Sequence, residues 1–223
     1  MSEKDKWIEE SDVLSIFPTC VWKTRLTTKF RQRINSKILK LISVIKPDLA
    51  EIPTGGSWQS AQDLHKYEHL ADLNSCINNM AQTILRFLKI GDNKIEITAC
   101  WTNINASGAL HAMHSHPNNF LSGIYYVHTH PGADTVNFHD PRSQTGIIRP
   151  PVTELTSQNT DQVVVRVCDG MLLMFPSYLV HSVAANESSK LRISISFNLM
   201  FSLYAERLSK TLWGSTAGPP PGK

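Results

Sequence analysis

The sequence is poor in the features that mark a disulfide scaffold, a zinc ribbon, a membrane span or a nucleic-acid surface. Among 223 residues there are only four cysteines, Cys20, Cys76, Cys100 and Cys168, and none forms a C-x-x-C pair. Each is flanked by apolar or helical sequence, so buried free thiols in a reducing, cytoplasmic compartment are expected. No apolar run approaches the roughly 20 residues that a membrane-crossing helix needs. The opening MSEKDKWIEESD is polar and acidic where a secretory leader would carry an apolar stretch. Charge is scarce as well: 18% of residues are charged and the net charge is +3. Lysine and arginine are scattered, and no basic groove with interleaved aromatics is visible, which argues against a nucleic-acid partner.

What is present falls into two parts with different rhythms. Val13 to Leu26 reads as a strand broken at Pro18, which suits a sheet edge. From Thr28 to Lys46, Phe30, Ile34, Ile38, Leu41, Ile42 and Ile45 recur at helical spacing, and Pro47 stops the helix. Pro47 to Lys66, with Pro53, Gly55 and Gly56, reads as an ordered loop. A second amphipathic helix spans about Glu68 to Ile90, with Leu70, Leu73, Ile77, Met80, Ile84 and Leu88 on one face and Gly91 as its stop. After Gly91 come short runs rich in β-branched and aromatic residues: KIEITACWTNINA, FLSGIYYVH, TVNFH, VVVRV, MLLMF, LVHSV and LRISISFNLMF. Turn sequences such as HPNN, HPGAD, DPRSQTG and NESS separate them. Helices first and strands after give an α+β class with a sandwich or barrel core. Residues 1–12 are expected to be a flexible lead-in, 13–205 a single domain, and the Gly/Pro-rich 206–223 a flexible tail.

The chemistry concentrates in GALHAMHSHPN, residues 108–118. His114 and His116 form an H-x-H pair, and on a strand such a pair aims both imidazoles at one point. His181 lies in a distant strand-like run that starts after Gly170. Neutral imidazole binds iron, manganese, copper, nickel or zinc, and three ligands on a rigid frame leave positions open for substrate and oxygen. Arg192 follows on a run that alternates like a strand, with Ser194 and Ser196 on its face and Ile193, Ile195 and Phe197 opposite. A guanidinium fork matches a carboxylate and stays charged when buried. His111, His128, His130 and His139 lack such partners in the pattern and read as surface or supporting residues.

Two families that share the double-stranded β-helix resemble this pattern. Gly108-ALHAM-His114-Ser-His116 fits the first cupin motif, but Phe120 and Leu121 stand where that motif has a glutamate. The chain more closely resembles the Fe(II)/2-oxoglutarate-dependent oxygenases. The resemblance rests on Ile16-Phe17-Pro18, Ser57-Trp58-Gln59-Ser60, His114-Ser-His116-Pro117, Ser122-Gly123-Ile124-Tyr125-Tyr126-Val127, Phe138-His-Asp-Pro-Arg142, Phe175-Pro-Ser177, His181-Ser-Val183 and Arg192-Ile-Ser-Ile-Ser-Phe-Asn198. It implies a double-stranded β-helix (jelly-roll, cupin-like) core supported by N-terminal helices. It further implies Fe(II) as the metal, 2-oxoglutarate as co-substrate and O2 as oxidant, with hydroxylation of a substrate and release of succinate and CO2.

By that resemblance Arg192 and Ser194 would bind the far carboxylate of 2-oxoglutarate, with Asn103 and Tyr126 as inward-facing helpers. The family's metal triad has a carboxylate where this chain has His116. Three readings follow: His114, His116 and His181 form a three-histidine site; Asp140 swings in as the carboxylate; or metal is held weakly and oxygenase chemistry is lost. The first keeps the spacing and is preferred. The rival functions are a cupin-type metal enzyme with no use for 2-oxoglutarate and a non-catalytic metal- or ligand-binding barrel. A small molecule or a peptide is the expected substrate class; neither its identity nor the oligomeric state is written in the sequence.

Overall fold

The computed structural model describes residues 7–91, 94–142 and 151–205. Strand β1 (Trp22–Arg25) is followed by helix α1 (Thr28–Ile45), strand β2 (Ser57–Gln59) and helix α2 (Ala71–Phe87). Strands β3 (Ile95–Asn105), β4 (His111–His114), β5 (Leu121–His128) and β6 (Thr135–His139) come next. They are followed by β7 (Gln162–Arg166), β8 (Met171–Pro176), β9 (His181–Val183), β10 (Arg192–Phe201) and the short helix α3 (Ser202–Ala205). The larger sheet has the order β1-β8-β5-β10-β3-β2 and the smaller β4-β9-β6-β7, and their strand pairs are antiparallel. From β3 onward the chain crosses repeatedly between the sheets, which is the double-stranded β-helix within an α+β class.

Period-two alternation divides the larger sheet between two cores. On its outer face Tyr125, Val127, Leu172, Met174, Ile195, Phe197 and Leu199 pack with Ile34, Ile38, Leu41 and Ile42 of α1 and Leu73, Ile77, Ala81 and Ile84 of α2. On its inner face Ile124, Tyr126, Met171, Leu173 and Phe175 meet Val136 and Phe138 of the smaller sheet. Each fully buried Leu or Ile contributes roughly 1.5–3 kcal/mol, so the helices anchor the sheet mainly through this apolar stripe. One polar pin joins them: Asn35 Nδ2 donates to the Val127 carbonyl at 2.9 Å, and its Oδ1 accepts the Tyr125 hydroxyl at 2.6 Å. Helix α1 ends where Pro47 disfavours helical backbone at Lys46, which sits at φ −144° and ψ 75°.

Several expectations need correction. The first strand is only Trp22–Arg25, not Val13 to Leu26; Phe17 has φ 56° just before Pro18, and Val13 and Phe17 are 88% and 94% exposed. Pairing cannot extend through a left-handed residue followed by one with no N–H. The segment read as a loop contains β2, which pairs with β3 at the sheet edge. Phe30 and Leu88 lie on the solvent side of their helical stripes. The tail at 206–223 and the first six residues of the lead-in fall outside the described residues.

Candidate active site

His114 closes β4, and His181 opens β9 directly across the ladder from it. His116 is past the end of β4, contrary to an H-x-H pair carried on one strand. It is pinned instead by its backbone N–H, which donates to the Ser177 carbonyl at 2.9 Å. The three rings converge: centroids are 4.3 Å apart for His114 and His181, 5.1 Å for His114 and His116, and 5.2 Å for His116 and His181. One nitrogen from each lies within 4.8 Å of the others, a spacing that fits one metal ion.

Tautomers follow from the hydrogen bonds. Nδ1 of His114 is 2.8 Å from the Ala112 carbonyl, and Nδ1 of His181 is 3.0 Å from the Leu179 carbonyl. A carbonyl can only accept, so both Nδ1 atoms carry the proton and both Nε2 lone pairs are left as ligands. Burial lowers the pKa of His116 to about 4, with neighbouring His114 contributing in the same direction. Burial likewise lowers His181 to about 3, where the other histidines add to the effect and the Leu179 carbonyl opposes it. Neutral imidazole is the form a metal needs.

Arg192 opens β10 and is only 3% exposed. Among the described residues its guanidinium has no anionic partner, and its Nε is sealed from water without a hydrogen bond. Its carbon lies 5.4 Å from the ring centre of Tyr126, whose hydroxyl is also buried without a partner. Burial pushes that phenol up to about 12, against the opposing charge and hydrogen-bonding approach of Arg192. A buried cation without an anion, and a buried hydroxyl with no acceptor for its proton, are costly unless an anion joins them. The pair is therefore a natural carboxylate seat. Ser194 sits beside both, pairing across the ladders with Asn103 and Tyr126.

Other sequence candidates fall into supporting places. Asn103 lines the cavity, but both its polar atoms are engaged: Oδ1 accepts from Gln59 Nε2 at 2.7 Å and Trp101 Nε1 at 3.2 Å, and Nδ2 donates to Ser196 Oγ at 2.8 Å. Asp140 is gripped by Arg142, whose Nη2 lies 2.6 Å from Oδ2, and it is outside the metal-sized cluster. That hydrogen bond holds the Asp140 carboxyl below its ordinary value. Three cavity residues escaped sequence reasoning: His111, Gln59 and Trp101, whereas Ser196 lies on the strand face that alternation assigned to Arg192 and Ser194. Gln59 and Trp101 carry no local signal, because only the β2–β3 pairing brings them together.

A family profile described as "Putative 2OG-Fe(II) oxygenase" matches residues 99–198, the stretch from β3 to β10 that holds all three histidines and Arg192. Over that stretch the chain is similar to the 2OG-Fe(II) oxygenases. Solved oxygenase structures share its fold. A prolyl-4-hydroxylase from Pseudomonas putida superposes with a TM-score of 0.57 at 13% identity, covering 82% of this chain and 93% of that one. The α-ketoglutarate-dependent carbocyclase SnoK of nogalamycin biosynthesis gives 0.60 at 15% identity, covering 92% and 90%. HygX from Streptomyces hygroscopicus, solved with nickel and 2-oxoglutarate bound, gives 0.54 at 8% identity, covering 82% and 83%. A search of curated proteins finds no match. Fe(II) and 2-oxoglutarate are the metal and co-substrate that this similarity implies. The neutral imidazole cluster and the unpaired Arg192 fit them chemically. Among the described residues no helix is long and apolar enough to cross a membrane.

Proposed function

We propose that this protein is a 2-oxoglutarate-dependent hydroxylase whose Fe(II) is held by His114, His116 and His181, a three-histidine site without a carboxylate. The distal carboxylate of 2-oxoglutarate is bound by Arg192, with Tyr126 and Ser194 beside it. The observation that carries this reading is the buried guanidinium, which lacks an anionic partner among the described residues and whose charge reaches His111, a residue that lines one cavity with the three histidines. When bound, iron, 2-oxoglutarate and dioxygen supply the oxidation of an unactivated C–H bond, with succinate and CO2 released.

The chain's own residues supply position and dryness. Ala112 and Leu179 carbonyls fix the two ligand tautomers, so no ring flip precedes metal binding. Phe175 packs edge-on against His181 at 4.8 Å, and Trp101 against His116 at 5.9 Å, walling two ligands from bulk water. Three neutral ligands leave the full charge of the metal uncompensated, which favours a dianionic co-substrate chelating it. Arg192 neutralises the far end. The substrate is a small molecule or a peptide approaching over the loop after His116. The four free cysteines favour a reducing, cytoplasmic setting.

The test is an anaerobic titration of metal-free protein with Fe(II) and 2-oxoglutarate, read by the visible charge-transfer absorption. A band requiring both is expected in the wild type. Arg192→Ala should weaken 2-oxoglutarate binding about 10- to 100-fold, the range for a hydrogen-bonded charge pair. His116→Ala should abolish the band. Iron binding that ignores 2-oxoglutarate would defeat the reading and leave a metal-binding barrel.

A further inference from the structure

The strand that carries His114 is irregular where it matters. Across the β4–β9 ladder His111 faces Val183 and His114 faces His181, so β4 spends one residue more than its partner over the same span. That is a β-bulge, a device that re-aims side chains. On a regular strand, residues three apart point to opposite faces. Here the extra residue turns His111 onto the face of His114, and both line the cavity while Met113 stays 61% exposed.

The protonation of His111 is fixed by its neighbour. Its Nε2 lies 2.9 Å from Nδ2 of Asn105. An amide NH2 only donates, so Nε2 accepts and the ring proton sits on Nδ1. Asn105 is itself held firmly: it is buried, stands opposite Arg192 in the β3–β10 ladder, and accepts from Asn186 Nδ2 at 3.1 Å through its carbonyl. Among the described residues the Nδ1–H of His111 has no hydrogen-bond partner. His111 is not part of the metal-sized cluster. Burial, then the charge of nearby Arg192, lowers its pKa to about 4, so the ring is a neutral donor at pH 7.

Arg192 and Tyr126 come from the larger sheet, whereas His111 is presented from the smaller sheet across the lumen. Their donors lack acceptors among the described residues. We propose that His111 is a co-substrate-binding residue, its Nδ1–H donating to the carboxylate that Arg192 binds. The barrel then grips a 2-oxo dicarboxylate from both walls. This rests on the reading of the site given above. A 2-oxo monocarboxylate such as pyruvate would engage the metal but leave Arg192 and His111 unused.

The test is equilibrium binding to full-length, Fe(II)-loaded protein without oxygen, read by calorimetry. His111→Phe keeps a flat ring without a donor; His111→Gln keeps an N–H donor. Thermal melts confirm folding of each variant. The expected result is unchanged Fe(II) affinity in both, a 2-oxoglutarate Kd raised about 10- to 100-fold in His111→Phe, and partial recovery in His111→Gln. Pyruvate should bind the wild type and His111→Phe equally. An unchanged 2-oxoglutarate Kd in folded His111→Phe overturns the proposal, as does equal weakening for pyruvate. Loss of Fe(II) affinity would make His111 a metal ligand and overturn it too. Wild-type protein that binds Fe(II) but not 2-oxoglutarate would overturn the co-substrate reading itself, a failure visible before any variant is made.

Discussion

Tyr125 and Tyr126 are adjacent, equally buried, and should respond in opposite ways to the loss of one oxygen atom. The Tyr125 hydroxyl points to the helix side and donates to Asn35 Oδ1 at 2.6 Å. In Tyr125→Phe that acceptor is stranded in the core, at a cost of about 1–3 kcal/mol. For a chain of this size each kcal/mol moves Tm by about 2–4 °C, so a fall of roughly 2–12 °C is expected. The Tyr126 hydroxyl points into the barrel, where its proton has no acceptor among the described residues. Tyr126→Phe therefore removes a desolvated group that gives nothing back without a ligand, and the metal-free Tm should stay level or rise. With Fe(II) and saturating 2-oxoglutarate the order reverses: the ligand-induced rise in Tm should shrink in Tyr126→Phe and persist in Tyr125→Phe. Thermal melts with and without ligand check both halves. A metal-free Tyr126→Phe as unstable as Tyr125→Phe would refute the reasoning, because it would mean that the barrel hydroxyl is already satisfied.

Two more expectations concern stability. His111, His116 and His181 have folded pKa values lowered to about 4, 4 and 3. The unfolded chain takes up these protons from about pH 6.5, so stability is intact above that value and is lost as pH falls towards 4. The slope is at most about 1.4 kcal/mol per pH unit for each group, and less for the two rings open to cavity water; a metal-free Tm that is flat from pH 7 to 4 would contradict this. A Cβ on Gly123 would come within 2.3 Å of the Phe197 ring and 2.7 Å of the Leu173 carbonyl. Gly123→Ala should therefore cost about 1–3 kcal/mol through overpacking, measured as a lower urea midpoint with an unchanged slope.

The legible parts of the sequence were those set by short-range periodicity. Helices α1 and α2 showed as apolar stripes, and the polar face of Arg192, Ser194 and Ser196 showed as period two. His114 was recognisable from its H-x-H spacing to His116, and His181 from its place in a distant strand-like run after Gly170. The bulge that turns His111 inward was not legible, since it depends on the register between β4 and β9 rather than on β4 itself. Asn103 looked like a ligand-binding amide because its engagement by Gln59 comes from a distant edge strand. Asp140 looked available until its side chain was seen wrapped by Arg142, two residues away. Sequence gave residue types and faces; pairing across sheets decided which polar atoms remain uncommitted.

The alternation of β5 and β10 separates two kinds of selection along one backbone. Tyr125, Val127, Ile195 and Phe197 answer to the helices, whereas Tyr126, Arg192, Ser194 and Ser196 answer to the lumen. A change of cavity chemistry at the second set leaves the apolar seam with α1 and α2 intact. Such a sheet can drift to new ligands by substitutions at every other residue, without first rebuilding what keeps it folded.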